Sequence, residues 1–327
     1  MPAPGFWETQ GLPARLLSPL GSLFGAAGGL RRRMTVPAHA KVPVICVGNL
    51  VAGGAGKTPV VLALIDLMLR LGLTPHILTR GYGGSVPGPV AVDSGIHDAG
   101  SVGDEALLLA AKAPTWVARN RRAGASAIAA AGGGVILMDD GMQNPTLHHD
   151  WDILVVDGSY GFGNGRLMPA GPLRETIASG LARSRFAVLI GNDRHNLESM
   201  LRSHLPVLQA QVVPVPDDRQ WLGGRVVAFA GIGRPDKFFA TLTAAGANIV
   251  ARQAFPDHHP YRRDQIASLA VQATAAGATL VTTEKDWVRL PAEYRESVAV
   301  LRVKLAWDAD SETLLLTALA DLLIPST

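Results

Sequence analysis

The run from Val44 to Thr58 constrains this chain more than any other segment. Four apolar residues, Val44-Ile45-Cys46-Val47, lead into Gly48-Asn49-Leu50-Val51-Ala52-Gly53-Gly54-Ala55-Gly56-Lys57-Thr58. A strand, a glycine-rich turn and a helix start make a phosphate nest, because backbone N–H groups converge there and the helix N-terminus adds its dipole. Gly53, Gly54, Ala55 and Gly56 form the turn, and Asn49 buttresses it. Lys57 reaches the terminal phosphates of a nucleotide, and Thr58 offers its hydroxyl to magnesium. Pro59 suits the first helical turn, where no N–H is needed. The match is a variant, since Val51 stands where the usual pattern has its first glycine.

Val135-Ile136-Leu137-Met138 is a second apolar strand, and it ends in Asp139-Asp140-Gly141. Carboxylates at the C-terminal end of a parallel strand face the phosphate loop and hold Mg²⁺, often through water. Asp139 and Asp140 are the expected metal-side pair. A plain turn is the competing explanation.

Around these motifs, short β-branched runs alternate with Ala/Leu-rich stretches. Strands are expected at Val42–Val47, Pro75–Thr79, Val90–Val92, Thr115–Ala118, Val135–Met138, Ile153–Val156 and Ala187–Ile190. Helices are expected at Thr58–Leu71, Asp104–Lys112 and Arg121–Ala131. This is the rhythm of βα units around a largely parallel sheet. A polar stretch, Pro214–Gly224, resembles a linker. Beyond it come strand Val226–Phe229, helix Lys237–Ala245, strand Ile249–Gln253, helix Arg263–Ala275 and strand Thr279–Thr282. The expected fold is α/β: a P-loop NTPase-type domain at 41–215, with a second, smaller α/β domain at 224–305 and a helical segment at 306–327. With 327 residues and 48% hydrophobic content, both cores can be built. The single cysteine, Cys46, excludes an internal disulfide framework and an all-cysteine zinc site. Its apolar neighbours predict a buried, inert thiol.

Residues 1–41 hold Arg15, Arg31, Arg32, Arg33 and Lys41 against Glu8 alone, which exceeds the whole chain's net charge of +3. The basic character is thus N-terminal and does not describe a nucleic-acid-binding surface. Leu12, Leu16, Leu17, Leu20, Leu23 and Phe24 recur at helical spacing just before Arg31–Arg33. The uncharged stretch Leu16–Leu30 is short for a span and contains Pro19. Charge follows the apolar run, the reverse of a signal peptide. Segment 1–40 is therefore expected to be amphipathic. It either lies on an anionic membrane surface or docks on the protein's own core.

Further motifs occur in order: Gly48-Asn49-Leu50, Thr79-Arg80-Gly81-Tyr82-Gly83, Val102-Gly103-Asp104-Glu105, Asp139-Asp140-Gly141-Met142-Gln143, Gly171-Pro172-Leu173-Arg174-Glu175, Phe255-Pro256-Asp257-His258 and Thr282-Thr283-Glu284-Lys285-Asp286. Together with the phosphate loop, this ordered set resembles the tetraacyldisaccharide 4'-kinase family of lipid A synthesis. Met142 departs from it, standing where an aromatic residue is common. The resemblance implies a two-domain kinase at the cytoplasmic face of the bacterial inner membrane. Such an enzyme moves the γ-phosphate of ATP to the 4'-hydroxyl of an acylated glucosamine disaccharide 1-phosphate, giving lipid IVA. It implies that Asp104 is the base and that His258, on the second domain, is its partner, with adjacent His259 as the alternative. A carboxylate is a weak base near neutral pH, so an imidazole beside it can tune or relay the proton. Arg80, Tyr82, Arg121, Arg174 and Glu175 become substrate-side candidates, arginine being suited to phosphate by bidentate contact. Asp104 as a simple helix cap, and the arginines as surface ion-pair residues, are the competing readings. No protein partner is implied.

Two other classes compete. A P-loop GTPase or metallochaperone-like switch reads guanine through a lysine–aspartate segment. Thr283-Glu284-Lys285-Asp286 is superficially like that but has its lysine one place late. A metallochaperone also needs Cys/His clusters, and no cysteine joins His148-His149 or His258-His259. A membrane scaffold with a vestigial loop does not explain intact Lys57, Thr58, Asp139 and Asp140.

Overall fold

The computed structural model describes residues 4–215, 221 and 223–323. In chain order its strands are β1 (Val44–Gly48), β2 (Pro75–Thr79), β3 (Val90–Ala91), β4 (Thr115–Val117), β5 (Val135–Asp139), β6 (Trp151–Asp157), β7 (Ser184–Ile190), β8 (Val207–Pro214), β9 (Arg225–Ala230), β10 (Asn248–Ala254), β11 (Thr279–Thr283), β12 (Ala299–Leu301) and β13 (Val303–Trp307). Among the described residues they form two sheets. The larger has the order β13-β8-β7-β6-β1-β5-β2-β4-β3, and the smaller β10-β9-β11-β12. The large sheet is parallel except at its edges, where β3 runs against β4 and β13 against β8.

Both faces of the large sheet are covered, which is why its central strands read as unbroken apolar runs rather than alternating ones. Ile45, Val47, Leu137, Ile153 and Val188 pack with the helix Lys57–Arg70 on one face. Val44, Cys46, Ile136, Met138 and Leu154 pack on the other, against Ile128, Leu181 and Leu201 of the helices Arg121–Ala130, Ile177–Arg183 and Leu197–Arg202. The small sheet is layered in the same way. Phe238, Phe239 and Leu242 of the helix Pro235–Ala244 cover one face, and Ile266, Leu269 and Ala273 of Arg263–Ala275 the other.

The chain crosses between the sheets twice. Part of the expected linker, 216–220 and 222, lies outside the described residues, while Trp221 is buried in the small-sheet core. The return comes earlier than expected. Residues 303–305, assigned from sequence to the smaller domain, belong to β13, which pairs with β8 of the large sheet. The helix Ala309–Leu323 then buries Leu315 and Leu319 beside the helix Lys57–Arg70. An Arg70–Glu312 ion pair of 2.5 Å sits over that contact. Residues 324–327 of the expected C-terminal segment lie outside the described residues.

The N-terminal helix runs from Leu12 to Met34, with Pro19 inside it. Two of its small residues face inward: Ala14 and Gly21 are buried, and a Cβ at Gly21 would come within 2.8 Å of the Leu167 carbonyl. Its large residues face outward, with Leu12, Leu16, Leu20, Leu23 and Leu30 each more than half exposed. Among the described residues no helix is long and apolar enough to cross a membrane.

Candidate active site

The parallel strands deliver their C-terminal ends to one edge, where a β1–helix turn and the end of β5 meet. Gly56 takes φ +85° as the helix cap, a left-handed conformation open to glycine, and a Cβ there would lie 2.7 Å from Ile190. Gly53 is also left-handed, Gly54 is exposed and Ala55 is buried. Asn49 braces the loop: its Nδ2 donates to the Gly53 carbonyl at 3.4 Å, and its Oδ1 accepts from Lys57 Nζ at 3.3 Å.

Asp139 ends β5 and Asp140 follows it, and the two sit in different surroundings. Asp140, with φ +52°, accepts from Arg174 at 2.8 and 3.1 Å and lies 3.7 Å from Lys57 Nζ. Burial pushes its carboxyl up, but the charges of Lys57 and Arg174 outweigh this and hold it below the usual range. Asp139 is fully buried, and both its carboxylate oxygens lack a hydrogen-bond partner. Burial, then the nearby Glu105 charge, raise its pKa to about 7 against the pull of Lys57. Thr58 turns its hydroxyl toward Glu105 Oε1, 3.4 Å away. A buried carboxylate without a partner, near the Glu105 carboxylate that the Thr58 hydroxyl faces, fits a hard divalent cation.

Asp104 opens the helix Asp104–Ala110 and is 2% exposed. Gly103 before it has φ +89°, and a Cβ there would fall 2.5 Å from the Tyr82 carbonyl, so the turn accepts only glycine. Across from Asp104 stands the small-sheet unit. His258 Nδ1 is 3.0 Å from Asp104 Oδ2, and Arg289 Nε is 3.3 Å from the same oxygen. Lys285 pairs with Glu105. Burial raises the Asp104 carboxyl, but the His258 hydrogen bond and the Lys285, His258 and Arg289 charges bring it below the usual range. The hydrogen bond to Asp104 raises His258 above its ordinary value, against desolvation. His259 does not face Asp104; it stacks on Phe255 and meets Gln265 at 2.9 Å.

Tyr82 is exposed, its ring 5.1 Å from that of His258. Arg80, at the end of β2, is exposed as well. Arg121 is buried, donates to the Ala118 carbonyl and keeps Nε unpartnered. Glu175 is held by Arg183 through two 2.6 Å bonds, by Gln143 at 2.8 Å and by Arg32 at 3.5 Å. Gln143 links it to the Arg174–Asp140 pair, since its Oε1 accepts from Arg174 at 3.4 Å.

A family model for tetraacyldisaccharide-1-P 4'-kinases matches residues 13–320. The chain belongs to the tetraacyldisaccharide 4'-kinase family. Relatives of that name include one from Paramagnetospirillum magneticum, 53% identical over 98% of both chains. Another, from Rhodospirillum centenum, is 54% identical over 94% of this chain and 93% of its own. Among solved structures, LpxK from Aquifex aeolicus in complex with ATP superposes with a TM-score of 0.76 at 25% identity, covering 95% of this chain and 99% of that one. Neither the GTPase nor the metallochaperone reading is favoured by a family kinship of this depth.

Sequence reasoning passed over Arg289, Arg183 and the partners of Asp157. Arg289 follows Lys285 by one helical turn, the i,i+4 spacing that puts two cations on one face, and that signal was available. Asp157, at the end of β6, receives Arg234 at 2.7 Å and also Lys237 from the small-sheet unit. Nothing local in the sequence marks that pairing.

Proposed function

We propose that this kinase uses MgATP to phosphorylate the 4'-hydroxyl of a tetraacyl glucosamine disaccharide 1-phosphate, giving lipid IVA. The observation that carries the reading is the seating of His258 on Asp104 at the same edge as the phosphate loop. The N–H groups of Gly53–Gly56 and Lys57 Nζ receive the ATP phosphates. Thr58, Asp139 and Asp140 would hold Mg²⁺, Asp140 while still braced by Arg174. Bound there, the cation neutralises charge on the β- and γ-phosphates and needs no proton transfer to do so.

Asp104 takes the proton of the sugar hydroxyl as its oxygen attacks the γ-phosphorus, and the bond to the β-phosphate oxygen breaks with ADP as leaving group. His258 stabilises and relays the proton gained. Tyr82, beside His258, and Arg80, two residues before it, are exposed and receive the disaccharide, and buried Arg121 supplies positive charge near Arg80. The small-sheet unit, closed over Asp104, excludes water that would otherwise compete for the γ-phosphate.

The long-chain substrate is met at a bilayer. The outward leucines of the helix Leu12–Met34, with exposed Arg31 and Arg33, form an interfacial surface for the anionic cytoplasmic face of the bacterial inner membrane. Arg32 turns inward to the Met142 carbonyl and Glu175, so it is not part of that surface.

Incubation of the purified protein with γ-labelled ATP and a tetraacyl disaccharide 1-phosphate in mixed micelles tests the reading. Labelled bisphosphorylated lipid is expected from the wild type, and none from a folded Lys57→Ala variant. Equal label transfer by Lys57→Ala, or use of GTP in preference to ATP, contradicts it.

A further inference from the structure

Arg289 is a buried cation, its side chain 6% exposed, at the seam between the two units. Its guanidinium meets five groups. Nε donates to the Lys285 carbonyl at 2.9 Å and lies 3.3 Å from Asp104 Oδ2. Nη1 donates to the His259 carbonyl at 3.2 Å. Nη2 donates to the Gly231 carbonyl at 3.0 Å and to Asp286 Oδ1 at 2.9 Å. Asp286, itself fully buried, also accepts from the Gly231 N–H at 2.8 Å and from Tyr261 Oη at 2.6 Å.

These bonds join two segments. One is the turn at Gly231 after β9. The other is the 256–259 loop, whose His258 N–H donates to Gly231 O at 3.0 Å and whose His258 backbone is left-handed at φ +56°. A non-glycine residue in that conformation persists only where its surroundings hold it. Arg289 bonds both segments and also reaches the carboxylate that His258 meets.

We propose that Arg289 is the positioning residue of the Asp104–His258 pair: it locks the loop that presents His258 and shares Asp104 Oδ2 with the imidazole. The inference rests on the reading of that pair as the proton acceptor. Two groups on one oxygen divide its negative charge, so His258 feels a weaker field than in an isolated Asp–His contact and more easily releases the proton it gains. The other groups facing His258 are Asp257, 3.8 Å from Nε2, the Lys285 ammonium and the Tyr82 ring. None of them bonds the loop backbone as Arg289 does.

The test compares Arg289→Met and Arg289→Lys with Asp104→Asn in the full-length protein. It follows kcat, KM for ATP and the NMR titration of the His258 ring. Arg289→Met should lose about 10–100-fold in kcat with KM for ATP within about twofold, as expected when a reacting group is misplaced. Its His258 midpoint should move up. Arg289→Lys keeps the charge but cannot span the acceptors, so it should hold the His258 midpoint near wild type and recover only part of kcat. It also serves as the folded control should the Met variant not fold. Wild-type kcat in a folded Arg289→Lys or Arg289→Met variant overturns the proposal. If Asp104→Asn leaves both kcat and the His258 midpoint unchanged, the underlying pair fails instead, whatever Arg289 does.

Discussion

At the scale of single residues, the site is a set of carboxylates held in different states by their neighbours. Asp140 and Asp104 are surrounded by cations and stay charged, while Asp139 is buried without a bonding partner. The Asp104–His258 contact also links pH to stability. His258 has a raised folded-state value, so its contribution is complete below its ordinary 6.5 and is lost as pH rises through the raised value. Asp104 has a lowered one, so its contribution is complete above its ordinary 3.8 and is lost as pH falls through the lowered value. The link is strongest between about pH 4 and pH 6.5. His258→Gln should therefore lower the thermal midpoint most near pH 5.5 and least near pH 9. Equal losses at both pH values would contradict the link. Much of the site was legible at this scale because it is local in sequence: Gly53–Thr58 and Val135–Asp140 each carry their chemistry in consecutive residues. The meeting of Asp104 and His258, 154 positions apart, came through family resemblance, since no spacing rule brings them together. The spacing of Arg289 after Lys285 hints at a shared face, but its contacts with the Gly231 and His259 carbonyls come from other segments and no local pattern shows them.

At the scale of elements, the turns that aim these side chains are the sensitive points. Gly103 sets the start of the Asp104 helix with a backbone that L-residues avoid, and the Tyr82 carbonyl fills the space of a Cβ. Gly103→Ala should cost about 1–3 kcal/mol of stability and lower kcat, measured by denaturant unfolding and turnover; neutral behaviour in both would refute this account of the turn. The buried central strands were legible as apolar runs. Strands β8 and β13, at one end of the large sheet, were not, because β8 alternates Leu208, Gln209, Ala210 and Gln211, and the partner of β13 lies about ninety residues away. The N-terminal helix shows where amphipathic periodicity is ambiguous: a leucine stripe predicts a face, not what it meets. Here Ala14 and Gly21 dock, while Leu12, Leu16, Leu20, Leu23 and Leu30 point out. Replacing Arg31 and Arg33 with Ala should weaken co-sedimentation with anionic vesicles, most at low salt, by roughly 1 kcal/mol per arginine. Unchanged partitioning at every ionic strength would leave the leucines as the sole anchor.

At the scale of the whole molecule, the two units meet through opposite charges. The large-sheet unit offers Asp104, Glu105 and Asp157, and the small-sheet unit offers His258, Arg289, Lys285, Arg234 and Lys237. These contacts lie on both flanks of the phosphate loop, so under the proposed mechanism closure of the small-sheet unit would complete the site. Asp104 belongs to one unit and His258 to the other, so neither alone holds both members of the proposed proton acceptor. The most direct measurement is a double-mutant cycle on kcat with Asp104→Ala, His258→Ala and the combined variant at saturating ATP. Loss of a general base costs about 10²–10⁴-fold, so Asp104→Ala should fall in that range with ATP affinity near wild type. His258→Ala should fall by a smaller factor. If the two residues act as one acceptor across the seam, the double variant should be little worse than Asp104→Ala alone. Losses that multiply in the double variant would contradict the account and make His258 an independent substrate-positioning residue.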